Sequence, residues 1–342
     1  MQKRSVFKVL ICFVLVVFLI GVFFYDQNNK LHSETQFAMD TFVNYKLYGI
    51  NAPKAIEEIK TYISNLDESL SLYNENSEIS LINKNAGKDY VRVSDETFEI
   101  LSLAKELCEE SSGNLDITIA PLSKLWNITS ENPRVPNEED ITAKKALVDY
   151  RDIILDNSTN SVKLKREGQE IDLGGFAKGF ACEKAVEICL KHGVKAGVIS
   201  IGGNVAIIGK KPINVSITIP EIGKFGTFAK VELKNKIIAT SGGYERYFEE
   251  NGIIYEHIIN PYSGYPAESD LISVSVISDE GIITDALSTR LYIEGHESVE
   301  KLLSDDSIGI IAVDTEKNVY VSDWLKCFVT LNNEFPDYKF AE

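Results

Sequence analysis

The sequence predicts an α+β fold, a largely antiparallel sheet with packed helices, preceded by one N-terminal transmembrane helix. An unbroken apolar run lies near the N-terminus, and helical periodicity dominates residues 50–110. After residue 150, short apolar runs separated by turns dominate. Helical runs interrupt these strands without strict alternation, so a parallel βαβ architecture is not indicated.

The N-terminal segment has the features of an uncleaved membrane anchor. Its apolar run spans residues 9–25, and three basic residues precede it: Lys3, Arg4 and Lys8. The run is long enough to reach roughly across the ~30 Å of bilayer hydrocarbon. A signal peptide would end in small residues, whereas residues 22–25 are bulky. The basic flank should stay in the cytoplasm, so we expect a cell-membrane protein whose folded part is extracytoplasmic.

Charge and length limit the remaining possibilities. The 342 residues carry a net charge of −16 without a clustered basic stripe, which excludes nucleic acid as a partner. The five cysteines are too few and too scattered for a disulfide scaffold or a zinc site. We therefore predict a signal or anchor over residues 1–27, a polar linker over 28–36 and one folded domain over 37–342.

The first half of the domain predicts strand, helix, helix and loop. Residues 41–48 alternate with period two, as a half-buried strand does. Pro53 then opens a helix with an apolar stripe, formed by Ile56, Ile59, Ile63, Leu66 and Leu70. Ser94 is the expected N-cap of a second helix that stops before residue 111. Residues 127–140 are polar and contain two prolines, which predicts a surface loop or a short insertion.

The second half predicts mostly strands. The expected strands are residues 152–155, 161–164, 198–201, 215–219, 229–233, 237–239, 272–277 and 308–313. Helical runs are expected over residues 176–192 and 284–293. No internal repeat interrupts this pattern.

A glycine-rich segment, Asp172 to Gly179, directly precedes the first of these helices. Free N–H groups and the helix dipole at such a position favour an anion, and Lys178 adds a cation. The segment matches neither a P-loop nor a dinucleotide fingerprint. A turn needed only for tight packing explains the pattern equally well.

Two further places carry side chains suited to phosphate chemistry. Asp285, Ser288 and Thr289 lie on one helix face, where a carboxylate and two hydroxyls suit Mg²⁺, although ordinary capping also explains the spacing. His257 has the side chain of a general base, although a lone histidine between strands is more often structural. Tyr73 either stacks on a planar ligand or packs. Asp116 and Thr118 point to one side of a strand or belong to a buried turn.

Seven segments occur in this order along the chain: Met39 to Thr41, Ser71 to Tyr73, Asn114 to Thr118, Asp172 to Gly179, Thr240 to Arg246, His257 to Pro261 and Asp285 to Thr289. In this order they resemble the FAD:protein FMN transferase family, the ApbE-like flavin transferases. The resemblance covers nearly all of the predicted domain.

The resemblance implies that FAD is the substrate and Mg²⁺ the cofactor. FMN would pass to a Ser or Thr hydroxyl of an acceptor protein, and AMP would be released. The matching catalytic positions are His257, Asp285 and Lys178. The matching flavin-contacting positions are Met39, Tyr73, Asn114, Leu115, Asp116, Asp172, Lys178 and Ile259. The matching metal positions are Gly175, Asp285, Ser288 and Thr289.

The family's acceptor pattern is Asp, two residues, Ser or Thr, then Gly. This pattern is absent from the chain, so a separate acceptor is expected. Two other functions stay open at this point. One is a Mg²⁺-dependent FAD pyrophosphatase that gives free FMN and AMP, and the other is a non-catalytic extracellular flavin-binding protein.

Overall fold

The computed structural model describes residues 29–341. Its strands are β1 (Leu31–Ala38), β2 (Thr41–Tyr48), β3 (Val91–Arg92), β4 (Ile153–Asp156), β5 (Ser161–Leu164), β6 (Ala196–Ile201), β7 (Asn204–Gly209), β8 (Ile213–Thr218), β9 (Thr227–Leu233), β10 (Ile237–Ser241), β11 (Tyr247–Glu250), β12 (Ile253–Glu256), β13 (Leu271–Ser278), β14 (Gly309–Asp314), β15 (Asn318–Val321), β16 (Val329–Leu331) and β17 (Lys339–Phe340). Its α-helices are α1 (Ala52–Leu70), α2 (Glu78–Lys84), α3 (Asp95–Glu110), α4 (Ala120–Trp126), α5 (Glu138–Lys145), α6 (Ala177–Lys191), α7 (Gly281–Glu294) and α8 (His296–Glu300).

A nine-stranded sheet forms the centre of the fold, in the order β1-β2-β6-β7-β10-β13-β14-β15-β17. Every neighbouring pair in it is antiparallel except β15 with β17. Strands β16-β9-β8 and β3-β5-β4 form two smaller sheets, and β11 pairs with β12 alone. The predicted α+β class with a largely antiparallel sheet is therefore confirmed.

The local patterns that predicted the first elements also explain their burial. Alternate residues of β2 are buried, and the predicted stripe of α1 is buried along its whole length. At the start of α3, the Ser94 hydroxyl accepts a hydrogen bond from the Thr97 amide, as an N-cap does. These predictions are confirmed within one or two residues at each end.

Two predictions were wrong in part. Residues 31–36, expected as linker, form most of β1, whose polar side chains are tolerated because an edge strand is exposed on much of its surface. The expected loop ends at residue 137 rather than 140, because the Asn137 side chain caps α5 by accepting from the Asp140 amide.

The sheet is covered on both faces. One core lies between α1, α6 and the strands at the β1 end of the sheet. A second core lies between the middle of the sheet and the small sheet β16-β9-β8, and a third between α7, α8 and strands β13 and β14. This arrangement brings the N-termini of α6 and α7 together at the middle of the sheet, where α7 contacts α6, β10 and β13.

Within residues 29–341, every helix is too short or too polar to cross a bilayer. The predicted anchor, residues 9–25, lies outside the described residues.

Candidate active site

A cavity of about 530 Å³ opens where the start of α6, the loop after β10, the segment after β12 and α7 meet. Eleven of the residues predicted for the site line it: Met39, Tyr73, Leu115, Asp116, Asp172, Gly175, Lys178, His257, Ile259, Asp285 and Thr289. Segments separated by more than two hundred residues of sequence therefore share one cavity.

Two glycines allow α6 and α7 to cross with their backbones in contact. A Cβ added to Gly179 would lie 2.1 Å from the Gly281 carbonyl oxygen, and one added to Gly281 would lie 2.1 Å from the Gly179 carbonyl oxygen. No other residue fits at either position without moving a helix. The close crossing places Asp285 of α7 beside the first turn of α6.

Both carboxylate oxygens of Asp285 accept hydrogen bonds. Oδ2 accepts from the Gly179 amide at 2.9 Å, and Oδ1 accepts from the Asn204 side-chain amide at 3.1 Å. Asp285 is only 5% exposed. The carboxylate is therefore fixed in orientation by two other elements, and charge-assisted hydrogen bonds of this kind are strong.

Further oxygen atoms lie around Asp285. The Ser241 hydroxyl is 2.8 Å from the Ser288 hydroxyl and 3.1 Å from that of Thr289. The side-chain oxygen of Asn204 is buried and has no hydrogen-bond partner. A buried acceptor without a partner is costly, and a cation beside Asp285 would satisfy it.

One carboxylate with several neutral oxygens is a donor set that suits Mg²⁺, which keeps water and phosphate oxygens in its remaining positions. The part of the chain in residues 29–341 has no cluster of three or more His, Cys, Asp and Glu that could hold a metal ion.

The glycine-rich segment forms the anion-binding side of the cavity. The Gly174 amide donates to Asp172 Oδ1 at 2.8 Å, and Lys178 Nζ donates to the Gly174 carbonyl at 2.6 Å. Burial raises the pKa of Asp172, an effect that the Gly174 amide and Lys178 oppose. Lys178 thus lies at the start of α6, where the helix dipole also favours negative charge.

Another part of the cavity wall carries His257 and Arg246. The Arg246 carbonyl accepts from the His257 amide and from Nδ1 of its ring, each at 3.1 Å. A carbonyl only accepts, so Nδ1 holds the ring proton and Nε2 has a free lone pair. Burial, followed by the charges of Arg246 and Lys178, lowers the pKa of His257 to about 4. The imidazole is therefore a neutral base at neutral pH.

The residues predicted to contact a flavin lie in different environments. Tyr73 is 65% exposed at the cavity wall. Met39 adopts a positive φ of 53°, and its amide donates to Asp67. Asp116 is part of a buried turn rather than a strand, since its Oδ1 accepts from the amide and hydroxyl of Thr118. Burial raises the pKa of Asp116.

Two predicted residues do not line the cavity. The Asn114 side chain donates to Glu294 instead. Ser288 is fully buried, and its hydroxyl donates to the Asp285 carbonyl. Their roles in binding flavin and metal remain predictions.

Sequence reasoning did not assign a role to four residues at the site: Asn204, Ser241, Arg246 and Gly281. Asn204 directly follows the glycine pair Gly202-Gly203, and Ser241 directly precedes the pair Gly242-Gly243. Arg246 lies three residues after the second pair, so glycine pairs at strand ends were the available signal. Gly281 had no such signal, because its role depends only on the crossing of two helices.

Taken together, the site combines a helix N-terminus with a lysine, a fixed carboxylate and a neutral histidine, which is a constellation suited to phosphate-ester chemistry. The model of the ApbE family matches residues 39–313. The chain belongs to this family.

Individual relatives agree with this assignment. A FAD:protein FMN transferase of Klebsiella pneumoniae is 31% identical over 299 residues, which are 86% of this chain and 93% of that protein. A FAD:protein FMN transferase of Treponema pallidum is 28% identical over 80% of this chain and 82% of that protein. The crystal structure of the ApbE protein of Thermotoga maritima superimposes with a TM-score of 0.81 at 30% identity, covering 87% of this chain and 99% of that one.

Proposed function

We propose that this protein transfers FMN from FAD to a Ser or Thr hydroxyl of an acceptor protein and releases AMP. One observation carries the proposal: the Asp285 face, Lys178 at the start of α6 and the free Nε2 of His257 line a single cavity. The names of the curated relatives support the same reaction.

His257 acts on the acceptor hydroxyl, whereas Lys178 and the N-terminus of α6 act on the diphosphate of FAD. His257 Nε2 accepts the proton of the acceptor hydroxyl, whose oxygen then attacks the phosphorus of the FMN half of FAD. The bond from this phosphorus to the bridging oxygen breaks, and AMP leaves with that oxygen. Lys178 and the N-terminus of α6 stabilise the negative charge on the diphosphate, so the protein contributes mainly positioning and electrostatics.

Mg²⁺ fits the donor set around Asp285. Asp285 and Thr289 would hold it, together with the Gly175 carbonyl, Ser288 and the unpartnered oxygen of Asn204. A bound Mg²⁺ would neutralise the diphosphate and favour departure of AMP. Because the chain has an overall charge of −16, cations supplied at the site are needed to hold an anionic substrate.

The proposed location is the extracytoplasmic face of the cell membrane. The apolar run of residues 9–25 and its basic flank support an anchor over residues 1–27. The flavin transferase domain would then begin near residue 37. The acceptor protein would have to be accessible from that side of the membrane.

The deciding experiment is incubation of the protein with FAD, Mg²⁺ and a peptide that carries the acceptor pattern. We expect an FMN phosphoester on the peptide, detected by mass spectrometry, and AMP in equal amount. Free FMN without a peptide adduct would indicate a FAD pyrophosphatase instead. Tight FAD binding with no AMP released over hours would indicate a binding protein.

A further inference from the structure

Glu256, the last residue of β12, inserts its side chain beneath the loop that follows β10. A Cβ added to Gly243 of that loop would lie 1.5 Å from Glu256 Oε2. The carboxylate therefore occupies the space that any side chain at position 243 would need. Glycine at this position and glutamate at position 256 are structurally coupled.

Tyr292 joins these two residues to α7. Its hydroxyl donates to Glu256 Oε2 at 2.5 Å and accepts from the Gly243 amide at 3.2 Å. Burial raises the pKa of the Tyr292 hydroxyl, which keeps the donated proton in place. One hydroxyl thus connects three elements: β12, the loop after β10 and α7.

These three elements carry the two sides of the site. His257 directly follows Glu256, and Thr289 lies three residues before Tyr292 on α7. Strands β11 and β12 pair only with each other in the described part of the chain, so the main sheet does not fix them. The contact of Glu256 with Tyr292 is a direct link between the hairpin and the helix of Asp285.

We propose that Glu256 and Tyr292 are positioning residues, which hold His257 at a fixed distance from the face of α7 that carries Asp285 and Thr289. This inference rests on the proposed transfer reaction, because it concerns how the base reaches the acceptor hydroxyl. Neither residue lines the cavity, so neither is expected to contact FAD. Their loss should slow transfer and leave FAD affinity unchanged.

The decisive test moves the carboxylate from one chain position to the other. In Glu256→Ala we expect kcat for transfer to fall about 10-fold, with an unchanged Kd for FAD, because misplacing a catalytic group costs rate rather than binding. A carbon–carbon bond is about 1.5 Å long, so an aspartate at position 243 would place its carboxyl group close to the vacated site, within reach of Tyr292. Gly243→Asp combined with Glu256→Ala should therefore recover most of the lost rate.

The single variants complete the test. Gly243→Asp alone should lower kcat for transfer more than Glu256→Ala does, because two carboxyl groups would compete for one space. Tyr292→Phe should resemble Glu256→Ala. Glu249→Ala is the matched control, since Glu249 is an exposed glutamate in the same hairpin. Its rate should equal that of the wild-type protein.

The outcomes separate this inference from the proposed function. Absence of an adduct with the wild-type protein would count against the transfer reaction. The rate of amide hydrogen exchange over residues 253–259 reports on the contact between Glu256 and Tyr292 without any turnover. This rate should rise in Glu256→Ala and return to the wild-type value in the double variant. Wild-type exchange and wild-type kcat in Glu256→Ala, or a double variant as slow as the single one, would overturn the inference.

Discussion

The two sides of the cavity are built in opposite ways. On the α7 side, Asp285 is almost fully buried, and both of its oxygens are held by groups from other elements. On the hairpin side, β11 and β12 pair only with each other within residues 29–341, and Ile253 is 55% exposed. A small diphosphate needs a preorganised site, whereas an acceptor protein needs an accessible surface. The difference matches the two substrates that the proposed reaction brings together.

The largest effect is expected on the α7 side. Asp285→Asn removes the negative charge, and its new NH₂ group faces the Gly179 or Asn204 amide, which needs an acceptor. The rate of transfer should fall about 1,000-fold, as it does when a key electrostatic group is lost. Adduct formation in the presence of FAD and Mg²⁺ measures this effect. Asp89→Asn, which changes an exposed aspartate, is the control and should transfer at the wild-type rate. A similar rate in both variants would remove Asp285 from the mechanism.

The next effect is expected on the hairpin side. His257→Gln should slow transfer about 100-fold or more by removing the base, while FAD affinity stays the same. Because the pKa of His257 is lowered to about 4, the wild-type base stays neutral down to that pH. If His257 limits the rate of transfer, this rate should decrease only when the pH is lowered to about 4. A fall near pH 6.5 would show that the histidine is not desolvated as described.

A third change tests whether the helix crossing preorganises the α7 side. Gly179→Ala forces the backbones of α6 and α7 apart, and because the clash is with backbone, we expect overpacking to cost about 3 kcal/mol of stability. Transfer should fall as well, because the Gly179 amide donates to Asp285. Gly193→Ala is a control with open space around its Cβ, and it should lose only about 1 kcal/mol through its positive φ. Denaturant unfolding measures both. Equal losses would contradict the tight crossing.

The smallest effect is expected on stability, and it comes from Glu256, which connects the hairpin to α7 through Tyr292. Burial raises the pKa of Glu256 to about 7, although the hydrogen bond from Tyr292 opposes this. The folded state therefore holds a proton that the unfolded state releases above its ordinary pKa of 4.5. The contribution of the Glu256 proton to the free energy of unfolding is therefore complete below pH 4.5 and is lost as the pH rises to about 7. Compared with Glu256→Gln, the wild-type Tm should therefore decline across this window, and parallel curves would contradict the raised pKa.

Local patterns in the sequence determined most of the elements. The apolar stripe from Ile56 to Leu70 defined α1, and Ser94 defined the start of α3, because helix periodicity and capping depend on nearby residues. Strand β1 was missed, since an exposed edge strand lacks the alternation that burial imposes.

The ordered segments of the sequence also identified eleven of the residues that line the cavity, among them Met39 and Thr289. These segments do not show which contacts fix the lining residues in position. The hydrogen bond from Asn204 to Asp285, the contact between Gly179 and Gly281, and the hydrogen bond from Tyr292 to Glu256 join residues far apart in the chain. Such contacts depend on how helices and strands cross in space, which no local pattern records. The sequence alone determined the chemistry available to the protein, and only the tertiary structure decided which groups are fixed and which stay accessible.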